Sequence, residues 1–268
     1  MRRQDALGRS IEVEAPPARI VSLVPSLTEA LFAFGVGERV VGVTYFCVEP
    51  REEVRHKTRV GGTKTLDVPR VLALRPDLVI ASAEENRRED VEALLAAGLR
   101  VFVTLPTTVR EAVEMLRDVA ALVGAEREAA PIIARAEEAL AETADIVSRR
   151  GRVRVFCPIW RGPWMSVGPG TYMHDLLSVC GGDNIFADSA ARYPEVTLEE
   201  VVERDPQVVL LPSEPYRFRH RHLPEIEALP VSAVRDGRVH LVDGRLLCWY
   251  GPRIPEGLTQ VRRLLAGE

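Results

Sequence analysis

The sequence predicts an α/β protein: two Rossmann-like lobes with parallel sheets, joined by one long rigid helix. That class rests on three features. A stretch at residues 66–82, LDVPRVLALRPDLVIAS, recurs in kind at residues 196–212, VTLEEVVERDPQVVLLP. In each copy a capping residue (Asp67, Thr197) opens a short helix, a charged residue and a proline (Arg75-Pro76, Asp205-Pro206) stop it, and a hydrophobic strand follows. Capping oxygens satisfy free amides at a helix start, and the residue before proline is driven out of the helical region. The second feature is the alternation of strand-like and helix-like runs, which implies parallel pairing. The third is an unbroken helical segment over 125–150, placed between the two copies.

In chain order, residues 4–14 alternate polar and apolar up to Pro16-Pro17 and read as an edge strand. Residues 19–24 read as a buried strand ended by Pro25, with Ser26 capping a helix over 27–34 and Glu29 completing a capping box. A second strand (39–43) leads to a loop, 44–65, that carries Tyr45-Phe46-Cys47 and Gly61-Gly62-Thr63. After the first repeat copy come a helix (87–97), a strand (100–104) and a helix (109–123). Over 125–150, Ile132, Ala136, Leu140, Thr143 and Val147 fall on one stripe, and Gly151 ends the segment. Such a helix spans roughly 35–40 Å and would resist wide hinge motion. The second lobe reads as a strand (153–159), an aromatic and glycine-rich loop (160–170), a helix (172–180), the second repeat copy, a mixed polar stretch (214–230), a strand (238–242), a loop (245–253) and a last helix (255–266). The expected division is a lobe over 1–123, a connecting helix over 124–150 and a lobe over 151–268.

The composition excludes several classes. With 46% hydrophobic and 28% charged residues the chain is typical of globular proteins, and a net charge of −4 leaves no electrostatic footprint for nucleic acid. No stretch approaches the roughly 18 apolar residues that span a bilayer. Residues 1–14 lack the apolar core of a secretory signal. The expected location is therefore extracytoplasmic, periplasmic or lipid-anchored, if an export signal has been removed, and cytoplasmic if Met1 is the native start. Cys47, Cys157, Cys180 and Cys248 show no paired spacing, which argues against structural zinc and favours free thiols.

In open parallel sheets, ligands lie beyond the carboxyl ends of the strands. The loops there carry Tyr45, Phe46, Thr63 and Lys64 in the first lobe, and Trp164, Tyr193, Arg245, Trp249 and Tyr250 in the second. Ring-bearing loops suit a large, flat organic ligand, because aromatics supply contact area at little rotameric cost. No catalytic constellation and no metal cluster is evident. Adjacent carboxylates at 84–85 and 199–200 do not share a helix face. The group His220, His222, Glu225 and Glu227 reads as surface, in an arginine-rich stretch. Phosphate-loop and nucleophile-elbow motifs are missing.

The segments RIVSLVPSLTEALFAFGVGERVVGV (19–43), GGTKTLDVPRVLALRPDLVIAS (61–82) and VCGGDNIFADSAARYPEVTLEEVVERDPQVVLL (179–211), with the long helix between, resemble the cobalamin-binding and helical-backbone metal-receptor branch of ABC-transporter substrate-binding proteins. The resemblance runs over nearly the whole chain. It implies a non-enzymatic protein that binds cobalamin or a related corrinoid in a cleft between lobes, with haem or a ferric siderophore as alternatives, and that hands it to an ABC permease. It implies aromatic ligand contacts at Phe46, Tyr193 and Trp164, and a permease-docking role for Glu199. The matching acid of the first lobe is replaced by Pro69, with Asp67 the nearest carboxylate; a stacking tryptophan falls near Thr63; a late Asp/Arg pair aligns with Arg245 and Trp249; Arg262 stands where a cysteine would pair with Cys180. No cofactor is required beyond the ligand, and a monomer is expected. A cytoplasmic corrinoid- or tetrapyrrole-processing enzyme on the same scaffold is the competing expectation.

Overall fold

The computed structural model describes residues 1–268, which divide into two units: Met1–Pro106 with Ala112–Ala134, and Thr107–Glu111 with Arg135–Glu268. The chain opens on an antiparallel ribbon, β1 (Arg2–Gln4) and β2 (Ser10–Glu12), rather than the single edge strand expected over 4–14. Asp5 reverses the chain: its buried carboxylate accepts the N–H groups of Leu7 and Arg9 and pairs with the Arg9 guanidinium. Gly8 supplies a left-handed turn residue, φ 75°.

The first unit continues with β3 (Ile20–Ser22), α1 (Pro25–Ala33), β4 (Val40–Val43), α2 (Arg51–Val54), β5 (Thr58–Arg59), α3 (Val68–Ala73), β6 (Leu78–Ser82), α4 (Arg88–Ala96) and β7 (Val101–Thr104). Its five strands are all parallel, in the order β5-β4-β3-β6-β7, so the chain winds outward in both directions from between β3 and β6. Pro25 does not end β3 as a breaker but occupies the first turn of α1, where its missing N–H costs nothing. Ser26 accordingly lies inside the helix and is not its cap; Val24 holds that place without a side-chain bond.

Helix α5 (Val109–Val123) precedes α6 (Glu126–Ser148), one continuous helix with Pro131 in its second turn. Ala129, Ile133, Ala136 and Thr143 are its buried residues; Ile132, Leu140 and Val147 flank them half-buried. Asp145 accepts two 2.8 Å bonds from Arg149 on the exposed side.

The second unit holds β8 (Val153–Phe156), β9 (Pro158–Trp160), β10 (Met165–Ser166), α7 (Tyr172–Val179), β11 (Gly182–Asn184), α8 (Leu198–Arg204), β12 (Val208–Pro212), α9 (Leu223–Glu227), α10 (Ser232–Arg235), β13 (Val239–Val242), α11 (Arg245–Cys248) and α12 (Ile254–Ala266). Four parallel strands run in the order β11-β8-β12-β13, again with the winding direction changing beside the first strand. The run expected as one strand over 153–159 breaks at Cys157, and β9 instead pairs antiparallel with β10. Core packing on one face joins Phe156, Phe186, Val201, Val209, Leu211 and Ile226.

The two repeat copies match down to single hydrogen bonds. Asp67 accepts the Arg70 N–H, and Thr197 accepts that of Glu200 within a reciprocal capping box. Arg75 and Asp205, just before the prolines, are the chain's two non-glycine residues with left-handed φ, 46° and 42°. Both β6 and β12 are buried throughout. The Asp77 N–H donates to the Arg19 carbonyl while its carboxylate accepts the Arg19 N–H; Gln207 does the same with Arg154. Either arginine then donates Nε back to a carbonyl at the end of the short helix, Leu74 O or Asp205 O, at 2.8 Å.

Candidate functional site

In the first unit the loop after β4 is held from below and bare above. Cys47 is fully buried, and its Sγ lies 3.1 Å from Thr28 Oγ1 and 3.2 Å from Thr44 Oγ1. Burial pushes the Cys47 thiol up, so it acts as a packed anchor and not as a nucleophile. Arg59 Nη1 donates to the carbonyls of Thr44 and Cys47, at 2.7 and 2.8 Å, and clamps the turn. Between those carbonyls Tyr45 and Phe46 project outward, 59% and 58% exposed. A tight turn lies beside them, with Gly62 and Thr65 bonded through both backbone groups. Gly61 needs its left-handed backbone there, and a Cβ on Gly62 would lie 3.4 Å from the Phe46 ring. Thr63 is half-buried on this turn, and Lys64 Nζ donates to the Glu84 carbonyl at 2.8 Å.

One residue that the sequence did not single out ties these loops together. Asn86 is buried, accepts the Ser82 N–H at 2.8 Å and donates to the carbonyls of Leu23 and Thr63 at 3.4 Å. It thereby links the ends of β3 and β6 to the Gly61–Leu66 turn. A buried amide with its groups satisfied fixes loop geometry, because losing a partner would strand a desolvated polar atom.

The carboxyl end of the second unit is built from rings. Trp160 ends β9, 45% exposed, with its ring edge-on to Tyr216 at 5.5 Å. Trp164 is half-buried and stacks on Phe218, centroids 5.8 Å apart and planes within 10°. Tyr216 lies 4.8 Å from Phe218, and His222 packs edge-on to Phe218. His222 is buried and accepts the Arg219 N–H through Nδ1, whereas His220 and Glu227 are exposed and Glu225 half-buried, so within the group expected at the surface only His222 turns inward. No group of three metal-ligating side chains forms there or elsewhere. Asn184 secures the neighbouring loop, donating to the Val167 carbonyl at 2.7 Å and accepting the Phe186 N–H. Tyr193, half-buried, lies under the Arg192 guanidinium on a strand-like segment whose Pro194 carbonyl accepts from Ser166.

A second cluster follows β12 and β13. The Trp249 Nε1–H donates to Glu214 at 2.9 Å, and the Arg245 and Arg253 guanidinium groups lie 6.0 and 5.5 Å from the Trp249 ring centre. Burial pushes the Glu214 carboxyl above the usual carboxylate range, against the pull of that indole N–H. Arg245 also grips Asp243 with a forked contact, and its hydrogen bonds hold Asp243 below the usual range. Trp249 and Tyr250 are buried, the latter edge-on to Tyr172 at 5.7 Å. The site expectations thus separate into projecting rings (Tyr45, Phe46), half-buried side chains (Thr63, Trp164, Tyr193, Arg245), an exposed lysine with a backbone partner (Lys64) and buried rings (Trp249, Tyr250). Tyr216, Phe218, Glu214 and Asn86 join them from the coordinates, while Trp160, read as part of the loop over 160–170, ends strand β9 instead. The docking candidates both stand at helix starts: Glu199 is exposed in the first turn of α8, whereas Asp67 is spent as the cap of α3.

None of the four cysteines forms a disulfide, and Cys248 Sγ lies 4.0 Å from the Glu214 carboxylate that also holds Trp249. Residues 20–246 match the family model of periplasmic binding proteins. A vitamin B12-binding protein of Yersinia pestis is 30% identical over 193 residues, 72% of this chain and 69% of that protein. The crystal structure of the periplasmic vitamin B12-binding protein of Vibrio cholerae superposes with a TM-score of 0.82 at 25% identity, covering 94% of this chain and 97% of the other. A periplasmic heme-binding protein from Roseiflexus sp. RS-1, in apo form, gives 0.80 at 26% identity over 93% and 98%.

Proposed function

The chain belongs to the periplasmic binding protein family, and from that premise we propose that it is the extracytoplasmic substrate-binding protein of an ABC importer whose ligand is cobalamin or a related corrinoid. One observation carries the reading. Tyr45 and Phe46 stand more than half exposed on a loop clamped beneath by Cys47 and Arg59, which no packing within the lobe accounts for. Exposed rings on a fixed loop are pre-organised contact area, so a flat ligand binds without ordering its site. Trp160, with Tyr216 behind it, is the corresponding platform of the second lobe. The 30% identity to a vitamin B12-binding protein supports the corrinoid.

Haem is the second reading, supported by the Roseiflexus heme-binding protein at 26% identity. The cations weigh against it. Arg245 is already paired with Asp243, and Lys64, bonded to the neutral Glu84 carbonyl, is the one of the two that keeps its charge for a ligand carboxylate, so a ligand with two carboxylates is poorly matched. A corrinoid, whose periphery is amides, leaves them in place. The ligand leaves chemically unchanged; Thr63 supports the ring-bearing loop of the first lobe, and Trp164, Tyr193, Trp249 and Tyr250 support those of the second. Docking on the permease falls to Glu199, exposed at the start of α8; the first copy has Pro69 at that place and Asp67 already capping its helix.

The test is calorimetric titration of cyanocobalamin and of haemin into the purified chain. One-site binding of cyanocobalamin, weakened about tenfold in the Tyr45→Ala/Phe46→Ala double variant, is the expected result; two truncated ring contacts of about 0.5–1 kcal/mol each give that factor. Haemin binding with cyanocobalamin silent would overturn the corrinoid assignment. Recovery of altered corrinoid from the complex would overturn the non-enzymatic reading.

A further inference from the structure

At the amino ends of the second-lobe strands, away from every loop discussed above, lies a cavity of about 280 Å³ lined by Arg150, Arg238, Arg262, Cys180, Gly181 and Glu268 among others. Arg238 is explained in part: its Nη2 donates to the carbonyls of Leu264 and Leu265 and closes the end of α12. Arg150 pairs with Glu268 at 2.6 Å. Arg262 has a charge partner only at longer range, in Glu268. It sits on the inner face of α12 at 8% exposure, lines the cavity, and its guanidinium makes no hydrogen bond to the chain; its Nε is fully enclosed without a partner. The Nε of Arg238 is likewise enclosed and unpaired. A guanidinium carries five donors and no acceptor, so a buried one left unpaired is costly. Three guanidinium groups line the cavity, with Glu268 the one acidic residue among its lining.

We propose that this cavity is a binding site for a small, doubly charged tetrahedral oxyanion, phosphate or sulfate. Arg262 presents its two Nη groups to oxygens of the anion, a planar pairing for which arginine is better suited than lysine, and Arg238 and Arg150 add positive charge around it. At about 280 Å³ the cavity has room for such an ion together with a few waters. Glu268, already paired with Arg150, is the resident competitor and sets the affinity. The site is independent of the corrinoid reading and stands or falls separately.

The test measures uptake of radiolabelled phosphate by equilibrium dialysis of the full chain, with thermal unfolding followed in sodium phosphate, sulfate, acetate and chloride at equal ionic strength. Expected are one bound phosphate per chain and a saturable rise in the unfolding midpoint with phosphate and sulfate, but not with acetate or chloride. Arg262→Leu and Arg262→Gln both abolish uptake and the midpoint rise. In chloride alone Arg262→Leu unfolds no earlier than the parent, because it removes an unpaired buried charge. Glu268→Gln tightens phosphate about two- to fivefold, the factor expected for releasing one partly exposed ion pair. Absence of uptake by the parent, its persistence in both Arg262 variants, or an equal response to acetate would each overturn the assignment.

Discussion

Glycine substituted at the two left-handed positions of the repeat should act with opposite sign, because the same backbone is held by different side chains. Arg75 is exposed and its side chain makes no hydrogen bond; the equivalent tie to the neighbouring strand comes from Asp77, two residues on. A left-handed conformation costs an ordinary residue about 1–2 kcal/mol, and glycine escapes it while adding about 0.5–1 kcal/mol of chain entropy. Arg75→Gly should therefore stabilise the first lobe by about 0.5–1 kcal/mol. With a urea slope near 2 kcal/mol/M, the midpoint of that lobe's transition rises by about 0.3–0.5 M.

Asp205 has the same φ, and its carboxylate is fully employed. It accepts the Ser232 N–H at 2.6 Å and the Ser232 hydroxyl at 2.7 Å, and it meets Arg154 at 3.1 Å. Those bonds hold the carboxyl below its usual range, led by the Ser232 N–H, and they fasten α10 to the end of α8. Glycine would relieve a strain that aspartate already tolerates, and would delete every one of those contacts. Asp205→Gly should lower the second lobe's midpoint, and Asp205→Asn should fall between parent and glycine, since it keeps the acceptor. Urea unfolding followed by circular dichroism, with each lobe's ring signals read separately by fluorescence, gives the answer. Stabilisation by glycine at both sites, or destabilisation at both, would refute the account of the left-handed residues.

Trp164→Ala should cost about 2–3 kcal/mol, since it empties a half-buried stack on Phe218, while Trp160→Ala should cost under about 1 kcal/mol and act mainly on corrinoid affinity; unfolding and titration of the same two variants check the split. Glu214→Gln should remove a pH dependence: with its folded pKa raised, the folded protein holds the extra proton over the interval above the usual glutamate value, so the parent loses stability as pH rises through that interval, and the glutamine variant should not. Unfolding midpoints measured between mildly acidic and neutral pH test the sign. Native-state alkylation should reach Cys248 first and spare Cys47, Cys157 and Cys180, because burial pushes the last two thiols up to about 12 and encloses the first; peptide mapping after brief iodoacetamide treatment reads the order.

What the sequence revealed is what local chemistry encodes. Asp67 and Thr197 are caps, the prolines end both short helices, and the strands behind them are buried, because each follows from a few adjacent residues. Pro25 was ambiguous for the same reason: strand end and first helical turn are both proline positions, and only the following Ser-Leu-Thr run folding as helix decides it. The 214–230 stretch has no period to read, so nothing local showed that Tyr216 and Phe218 turn inward to back Trp160 and Trp164. Glu214 and Asn86 were missed because their roles exist only across strands: each bonds to a residue 35 or 63 positions away.

The same contrast between local and long-range contacts separates the two ends of each sheet. At the amino ends of the strands, the two copies keep matching bonds, Asp77 to Arg19 and Gln207 to Arg154, because those contacts set where helix and sheet meet. At the carboxyl ends they share almost nothing. The first lobe fixes its loops with polar ties through Arg59 and Asn86 and leaves two rings bare, whereas the second fixes its loops with the rings themselves. A ring held by Asn86-type ties is free to face a ligand with its whole surface; a ring stacked on Phe218 has one face left. Substitutions at Tyr45 and Phe46 should therefore change affinity with stability constant, and substitutions at Trp164 should change both. Measured on one protein, that difference would separate contact from support.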